Sequence, residues 1–207
     1  MFVTRSGLLS LTAAVALAAG LATPAAAADR SDVYRPINCN NADIPCIDVG
    51  DSRLQRSAEG LVASVATSRL RKGHAYSVWW VAFNSPENCA ARPCSLDDLE
   101  NEDAGGTAIW ATGFVAGDFG TGSQASGQFT AILNKGETPA GGEVAFENVE
   151  GADVLLVIRS HGRAQKDLVG EQITSFDAGC DSDVTPAVPK AAGECANVQF
   201  AVHMAEP

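Results

Sequence analysis

The chain has 207 residues, 46% of them hydrophobic, and its 14 Lys and Arg against 25 Asp and Glu give a formal net charge of −11. This composition is too apolar for a disordered chain and sufficient for one buried core. Nucleic acids and anionic membranes bind basic faces, so the acidic charge argues against both as partners.

Residues 1–28 have the pattern of a secretory signal peptide. Arg5 is the only charged residue before Asp29, and an apolar run at 8–21 is followed by Pro24 and an alanine stretch with A-x-A cleavage sites. The run is shorter than the ~20 residues that span a membrane, and the later apolar runs are only strand length. We expect cleavage before Asp29 and a secreted or periplasmic product without a membrane span.

Export into an oxidising compartment predicts that the six cysteines form disulfides. They fall into three local couples within segments rich in Pro, Asn, Asp and Gly. The expected bridges are Cys39–Cys46, Cys89–Cys94 and Cys180–Cys195. A zinc site is the weaker alternative, because the sequence contains no C-x-x-C pair.

After the leader, residues 29–57 are polar, contain two prolines and show no clear period, which indicates an arm lying over the domain at 58–207. Ser95 and Asp98 form a capping-box pattern that predicts a short helix through Leu99. Candidate strands, short and bounded by turn residues, occupy 61–67, 74–84, 107–116, 124–133, 143–148, 154–160, 171–176 and 197–203. The expected fold is all-β, an antiparallel sandwich of immunoglobulin-like or similar type with about eight strands and one short helix.

Trp79 and Trp80 are adjacent and must point to opposite faces of a strand. One is expected in the core. The other is either buried under the arm or displayed as a stacking platform, and the apolar residues on both faces of the strand favour burial.

Motifs of catalytic and cofactor-binding sites give little support for an enzyme. Residues 120–125 match G-x-G-x-x-A, but an alternating strand follows where a dinucleotide site needs a helix, so a hairpin turn is expected. Nucleophile elbows of the G-x-S-x-G type, H-E-x-x-H motifs and EF-hand loops are absent from the sequence. No cofactor is therefore implied, and enzymatic activity is the less favoured alternative.

The three histidines, His74, His161 and His203, fall at the ends of candidate strands. They are the candidate ligands of a copper or zinc site, if they converge on one rim of the sandwich. Each could instead cap its strand through a hydrogen bond. Antiparallel pairing of 154–160 with 197–203 would place His161 and His203 at opposite ends and preclude a shared site.

The segments at 75–89, at 157–164 with 171–180, and at 198–203 resemble a group of uncharacterised exported bacterial proteins. The shared pattern is A-Y-[ST]-x-W-W-x-x-F-N-x-P-E-x-C, then R-x-H-G, then Q-F-A-x-H. The H-G-x-A piece beginning at His161 is similar to the end of CHRD-type extracellular β domains. The first resemblance implies an exported protein without an assigned activity, and the second implies a β-sandwich.

The function expected from the sequence is a non-catalytic exported module that binds an extracellular or periplasmic ligand or protein. A small His-based metal-binding protein or metal-dependent enzyme is the alternative. The candidate binding loop follows the Trp-rich strand and is closed by the Cys89–Cys94 couple. Its candidate residues are Asn84, Pro86, Glu87 and Arg92, with the two charged side chains expected to be exposed.

Overall fold

A computed structural model describes residues 29–35, 47–117, 124–140, 142, 144–178, 180 and 195–205. The expected signal peptide at 1–28 and the Cys39–Cys46 couple lie outside the described residues.

Eight strands and one short α-helix make up the regular structure of this part of the chain. Every strand pair is antiparallel, and the hydrogen-bonded order is β5-β4-β7-β8-β1-β2-β3-β6. The strands are β1 (Asp29–Arg35), β2 (Ile47–Ser57), β3 (Gly60–Arg71), β4 (His74–Phe83), β5 (Gly106–Val115), β6 (Gln124–Asn134), β7 (Asp153–Arg163) and β8 (Ala196–His203), with α1 (Val169–Thr174) between β7 and β8.

The strands form two layers that pack face to face. One layer is β5-β4-β7-β8 and the other is β1-β2-β3-β6. In the described part of the chain, strand pairing connects the layers where β8 meets β1, through the partners Val33–Ala201 and Tyr34–Phe200. Apolar residues of both layers form one core cluster, and the Trp80 indole of β4 donates to the Ile132 carbonyl of β6 across it. The expected all-β sandwich is confirmed.

Strand β4 is buried along nearly its whole length, because both of its faces are covered. Trp80 is 0% exposed and points into the core between the layers. Trp79 points outward and is half-buried, with its ring packed edge-on against Phe176 at 5.4 Å. The prediction that one tryptophan is core is confirmed, and Phe176 covers part of the other.

The outer face of β4 and β7 carries a second apolar cluster that includes Val81, Phe83 and Leu155. The connection from β4 to β5 contains 3-10 turns at Pro86–Asn88, Leu96–Glu100 and Glu102–Ala104. Leu99 and Ala104 of the last two turns and the bridged Cys89 and Cys94 cover the cluster. The connection from β4 to β5 therefore covers the outer face of β4 and β7.

Several element predictions were wrong. Residues 29–57 are not an arm over the domain, because they supply β1 and β2, which lie between β8 and β3 in the sheet. The described residues of 144–148 do not form a strand, and most of the expected strand at 171–176 is α1. Strands β5 and β6 do not form a hairpin, since they occupy the two ends of the strand order.

Two of the three expected disulfides are present among the described residues. Cys89 is bridged to Cys94 and Cys180 to Cys195, with Cα–Cα distances of 5.5 and 5.3 Å. The first closes the loop after β4, and the second ties the segment after α1 to the start of β8. Among the helices of the described residues, none has the length and apolar character needed to cross a membrane.

Candidate functional site

A cavity of about 720 Å³ opens where the two ends of the strand order approach each other. This volume lies in the range of roughly 300–1,000 Å³ that is typical of small-molecule pockets. It is lined by segments of four strands and by the residues just after β5: Val49, Gly50, Asp51, Ala66, Thr67, Ser68, Phe114, Val115, Ala116, Gly117, Ser126, Gly127 and Gln128.

The backbone at this end of the sandwich leaves room for the cavity. The β3–β6 register shifts between Thr67 and Leu70, and Arg69 has a positive φ of 60°, so β3 bulges away from its partner. Gly127 on β6 faces Phe114, and a Cβ there would lie 3.3 Å from the Phe114 ring. A larger residue at Gly127 would displace the Phe114 ring or fill the cavity.

Aromatic rings close the gap between β5 and β6. Phe114 of β5 stacks on Tyr76 of β4 with a centroid distance of 5.6 Å and on Phe129 of β6 at 5.7 Å. The two end strands are therefore joined here by ring packing, with no backbone ladder between them in the described structure. Phe114 gives the cavity an apolar wall.

Some of the polar groups that line the cavity form hydrogen bonds within the protein. The buried Thr67 hydroxyl donates to Gln199 Oε1, and Ser68 Oγ donates to the Val49 carbonyl over 2.8 Å. Asp51 and Gln128 are exposed at the rim. An apolar wall with a polar rim suits the binding of a small ligand, and the internally bonded hydroxyls do not form an activated nucleophile.

The candidate binding loop lies elsewhere, at the end of β4. Asn84 is half-buried, and its side-chain amide donates to the carbonyls of Gly105 and Ala145 at 3.1 and 2.9 Å. Its Oδ1 accepts the backbone N–H groups of Glu147 and Asn148. Asn84 therefore holds three chain segments together.

The other three candidate residues of this loop differ in exposure. Pro86 is buried, and Glu87 is exposed. Arg92 is not a free surface charge, because its Nε donates to Oδ2 of the fully buried Asp153 over 3.2 Å. Glu87 and Arg92 are both exposed, as expected, but the Arg92 guanidinium is held in an ion pair with a buried carboxylate.

The capping box at the end of this loop is present, although it opens a 3-10 turn. Asp98 accepts the backbone N–H groups of Ser95 at 2.7 Å and of Ala90 at 2.8 Å. These hydrogen bonds lower the pKa of Asp98, since they stabilise its charged form. The carboxylate thus fastens the disulfide loop to the turn that follows it.

The three histidines do not converge on one site. Strands β7 and β8 pair antiparallel with Val154 opposite His203, so His203 lies at the end of β7 away from His161. His74 is the partner of Arg163 and shares the other end with His161. The described residues contain no group of three or more His, Cys, Asp or Glu side chains placed to hold a metal ion.

His161 lies in a buried hydrogen-bond chain. Trp79 Nε1 donates to Ser77 Oγ at 2.8 Å, and Ser77 Oγ lies 2.7 Å from His161 Nε2. His161 Nδ1 lies 2.9 Å from the Ala178 carbonyl and donates to it. Burial is the main cause that lowers the pKa of His161, which keeps its ring neutral at pH 7.

His203 lies between a serine and an aspartate. Ser52 Oγ is 2.8 Å from Nε2, and Asp29 Oδ2 is 3.3 Å from Nδ1. The residue types and order match a catalytic triad, but Ser52 is 0% and His203 1% exposed, so a substrate cannot reach the hydroxyl. Burial lowers the pKa of His203, and the charge of Asp29 acts in the opposite direction.

Neither the cavity nor the Ser52–His203–Asp29 arrangement was predicted from the sequence. The cavity depends on the approach of β5 and β6, which are not hydrogen-bonded partners. Ser52 and His203 are 151 residues apart, and Asp29 was placed in an arm rather than in the sheet. A sequence signal was the alternation of the charged Asp51 and Arg53 with Ser52 and Leu54, which could have placed Ser52 on the same face as the apolar Leu54.

Comparison with known proteins adds no family assignment. No family model matches the chain, and neither a curated protein nor a solved structure matches it.

Proposed function

We propose that the chain is an exported, non-catalytic binding module, and that its ligand is a small, mostly apolar molecule held in the cavity beside Phe114. The cavity itself is the observation that supports this proposal, because about 720 Å³ accommodates a small organic molecule. Export is supported by the leader pattern at 1–28 and by the two disulfides, which form in oxidising compartments.

Binding is favoured over catalysis by the chemistry of the groups present. The two Ser–His pairs, Ser77–His161 and Ser52–His203, are buried and lie outside the set of residues that lines the cavity. Phe114 instead offers an apolar wall, and Gln128 offers a side-chain amide at the rim. Such a site orients and retains a ligand without changing it.

Titration with Nile red, a neutral dye that fluoresces in apolar surroundings, tests this proposal. We expect saturable fluorescence with the wild-type chain. Ala66→Phe adds a ring at the rim of the cavity, beside Asp51 and Gln128, the cross-strand partners of Ala66. It should weaken the dye affinity by about tenfold or more, since the ring obstructs the opening of the cavity.

Val62→Phe is the matched control, because Val62 lies on the same strand at 36% exposure and does not line the cavity. It should bind the dye as the wild type does. Equal affinity in Ala66→Phe and wild type, with both variants folded by circular dichroism, would contradict the proposal.

A further inference from the structure

A second, shallower depression of about 550 Å³ adjoins the cavity beside Phe114. Asp51, Ala66 and Gln128 line both spaces, so the two are continuous across this shared rim. We call the second space the outer depression. Its exposed or partly exposed lining residues are Asp51, Arg53, Ser64, Ala66, Gln128 and Thr130. A ligand in the cavity can therefore extend across the rim and stay in contact with the protein.

Strand register arranges the six side chains of the outer depression in two rows. Each row crosses β2, β3 and β6 through cross-strand partners, and the rows are Arg53–Ser64–Thr130 and Asp51–Ala66–Gln128. Residues two apart on a strand share a face, so the rows are neighbours separated by roughly 7 Å. The residues between them on β3, Ala63 and Val65, point into the core instead.

Short side chains on the middle strand form the floor of the outer depression. Ser64 and Ala66 of β3 lie between the longer side chains of Arg53 on β2 and Gln128 on β6. Because each neighbouring strand is one spacing away, these walls are roughly 10 Å apart. The floor therefore accommodates one six-membered ring with its substituents.

The two charged groups of this lining balance each other. Asp51 Oδ2 and Arg53 Nε are 4.0 Å apart, and their side chains are 64% and 55% exposed. Ion pairs with this exposure are weak, so both groups are available to a ligand. A head group with a net charge of either sign would lie close to one like charge, which lowers its affinity.

A hydroxyl group satisfies both charges, because it donates to the carboxylate of Asp51 and accepts from the guanidinium of Arg53. Hydrogen bonds to charged groups are stronger than those between neutral groups. Ser64, Gln128 and Thr130 are exposed and add uncharged donors and acceptors around the same floor. This lining therefore suits an uncharged head group that has several hydroxyls.

We propose that the outer depression binds the uncharged polyhydroxyl head group of an amphiphile, an alkyl glycoside, whose apolar chain occupies the cavity beside Phe114. The inference rests on the proposed binding function and adds the chemical class of the ligand. The apolar wall and the polar rim of the cavity each have a counterpart in such a molecule.

Nuclear magnetic resonance titration of the disulfide-bonded chain with three probes tests the head group. Octyl glucoside, octyl sulfate and octyltrimethylammonium have the same alkyl chain, and each is used below the concentration at which it forms micelles. Octyl glucoside should bind about threefold or more tightly than either charged probe, because it meets no like charge and gains hydrogen bonds. Equal or tighter binding of a charged probe would overturn the inference.

Arg53→Met removes the guanidinium and keeps a side chain of similar length. It should weaken octyl glucoside binding by about threefold or more, since hydrogen bonds to a charged group are lost. Nile red affinity should not change, because Arg53 does not line the cavity beside Phe114. Arg30→Met is the matched control: Arg30 is exposed, is the cross-strand partner of Arg53 on β1 and lines neither space.

The failure of this inference is distinguishable from failure of the proposed function. Absence of octyl glucoside binding by the wild type, or equal affinities in Arg53→Met and Arg30→Met, would overturn the head-group site. Absence of saturable Nile red binding would instead contradict the apolar cavity as a binding site. Binding of Nile red without a preference for octyl glucoside would leave the cavity supported and the head-group site refuted.

Discussion

Arg92 Nε donates to Asp153 Oδ2 over 3.2 Å, and so a partly exposed guanidinium neutralises a carboxylate that has no exposure to solvent. Asp153 also accepts the backbone N–H of Ala205 at 3.1 Å. The pair therefore links the loop after β4, the start of β7 and the residues after β8. It raises the pKa of Arg92, chiefly through the hydrogen bond to Asp153.

Replacement of Arg92 by Ala is expected to lower the Tm clearly, because it leaves the Asp153 carboxylate buried and unpaired. Differential scanning calorimetry measures the shift. Glu87→Ala is the control in the same loop, since Glu87 is exposed and its removal should leave the Tm nearly unchanged. Equal shifts for the two variants would show that the Arg92–Asp153 pair does not stabilise the fold.

Adjacent residues of β6 give a direct test of the sandwich core. Leu133 is 0% exposed and Ile132 is 57% exposed, so their side chains point to opposite sides of the strand. Leu133→Ala should lower the free energy of unfolding by about 2–5 kcal/mol, because it removes packing and leaves a cavity. Ile132→Ala should lower it by less than about 1 kcal/mol. Urea denaturation measures both, and a larger loss for Ile132→Ala would contradict the assigned faces.

Acid should destabilise the protein through His161. Burial holds the pKa of this residue below its ordinary value of 6.5, so the folded state binds fewer protons than the unfolded chain in this range. The stability that the neutral ring contributes is complete above about pH 6.5 and is lost as the pH falls towards the lowered folded pKa.

Urea midpoints measured from about pH 7.5 to about pH 5.5 should therefore decrease in the wild type, as expected when the unfolded state takes up protons. His161→Gln should show a smaller decrease over the same range. An identical pH dependence in the two proteins would exclude His161 as the cause.

The third disulfide remains a prediction. Peptide mapping without reduction should recover Cys39–Cys46 beside the two bridges that the structure contains, Cys89–Cys94 and Cys180–Cys195. Recovery of Cys39 linked to any cysteine other than Cys46 would show that local pairing fails for the first couple.

The sequence predicted the parts of the fold that depend on local patterns. The apolar run around Trp80 identified β4, and the spacing of Ser95 and Asp98 identified the capped turn. Residues 171–176 were mistaken for a strand, because six residues are too few to distinguish a helical period from a strand. The two strands within 29–57 were missed because their pattern is polar and bulged, and their place in the sheet depends on partners far along the chain.

For the candidate site, too, the sequence predicted what depends on local patterns, and it predicted less of the site than of the fold. The histidines were recognised as polar groups at strand ends, and their separation followed once β7 and β8 were seen to pair. The cavity required knowledge that β5 and β6 meet through Phe114 and Phe129, a contact between strands that share no backbone pairing. Sequence periodicity contains no information about such a contact.

Nuclear magnetic resonance titration of the ¹⁵N-labelled chain with Nile red tests the proposed binding function most directly. Backbone amides of Gly50, Ala66, Gly117 and Gly127 surround the cavity and should show the largest shift changes. Amides of the loop that carries Glu87 should change little. Shift changes centred on that loop, or spread evenly over the chain, would contradict a binding site beside Phe114.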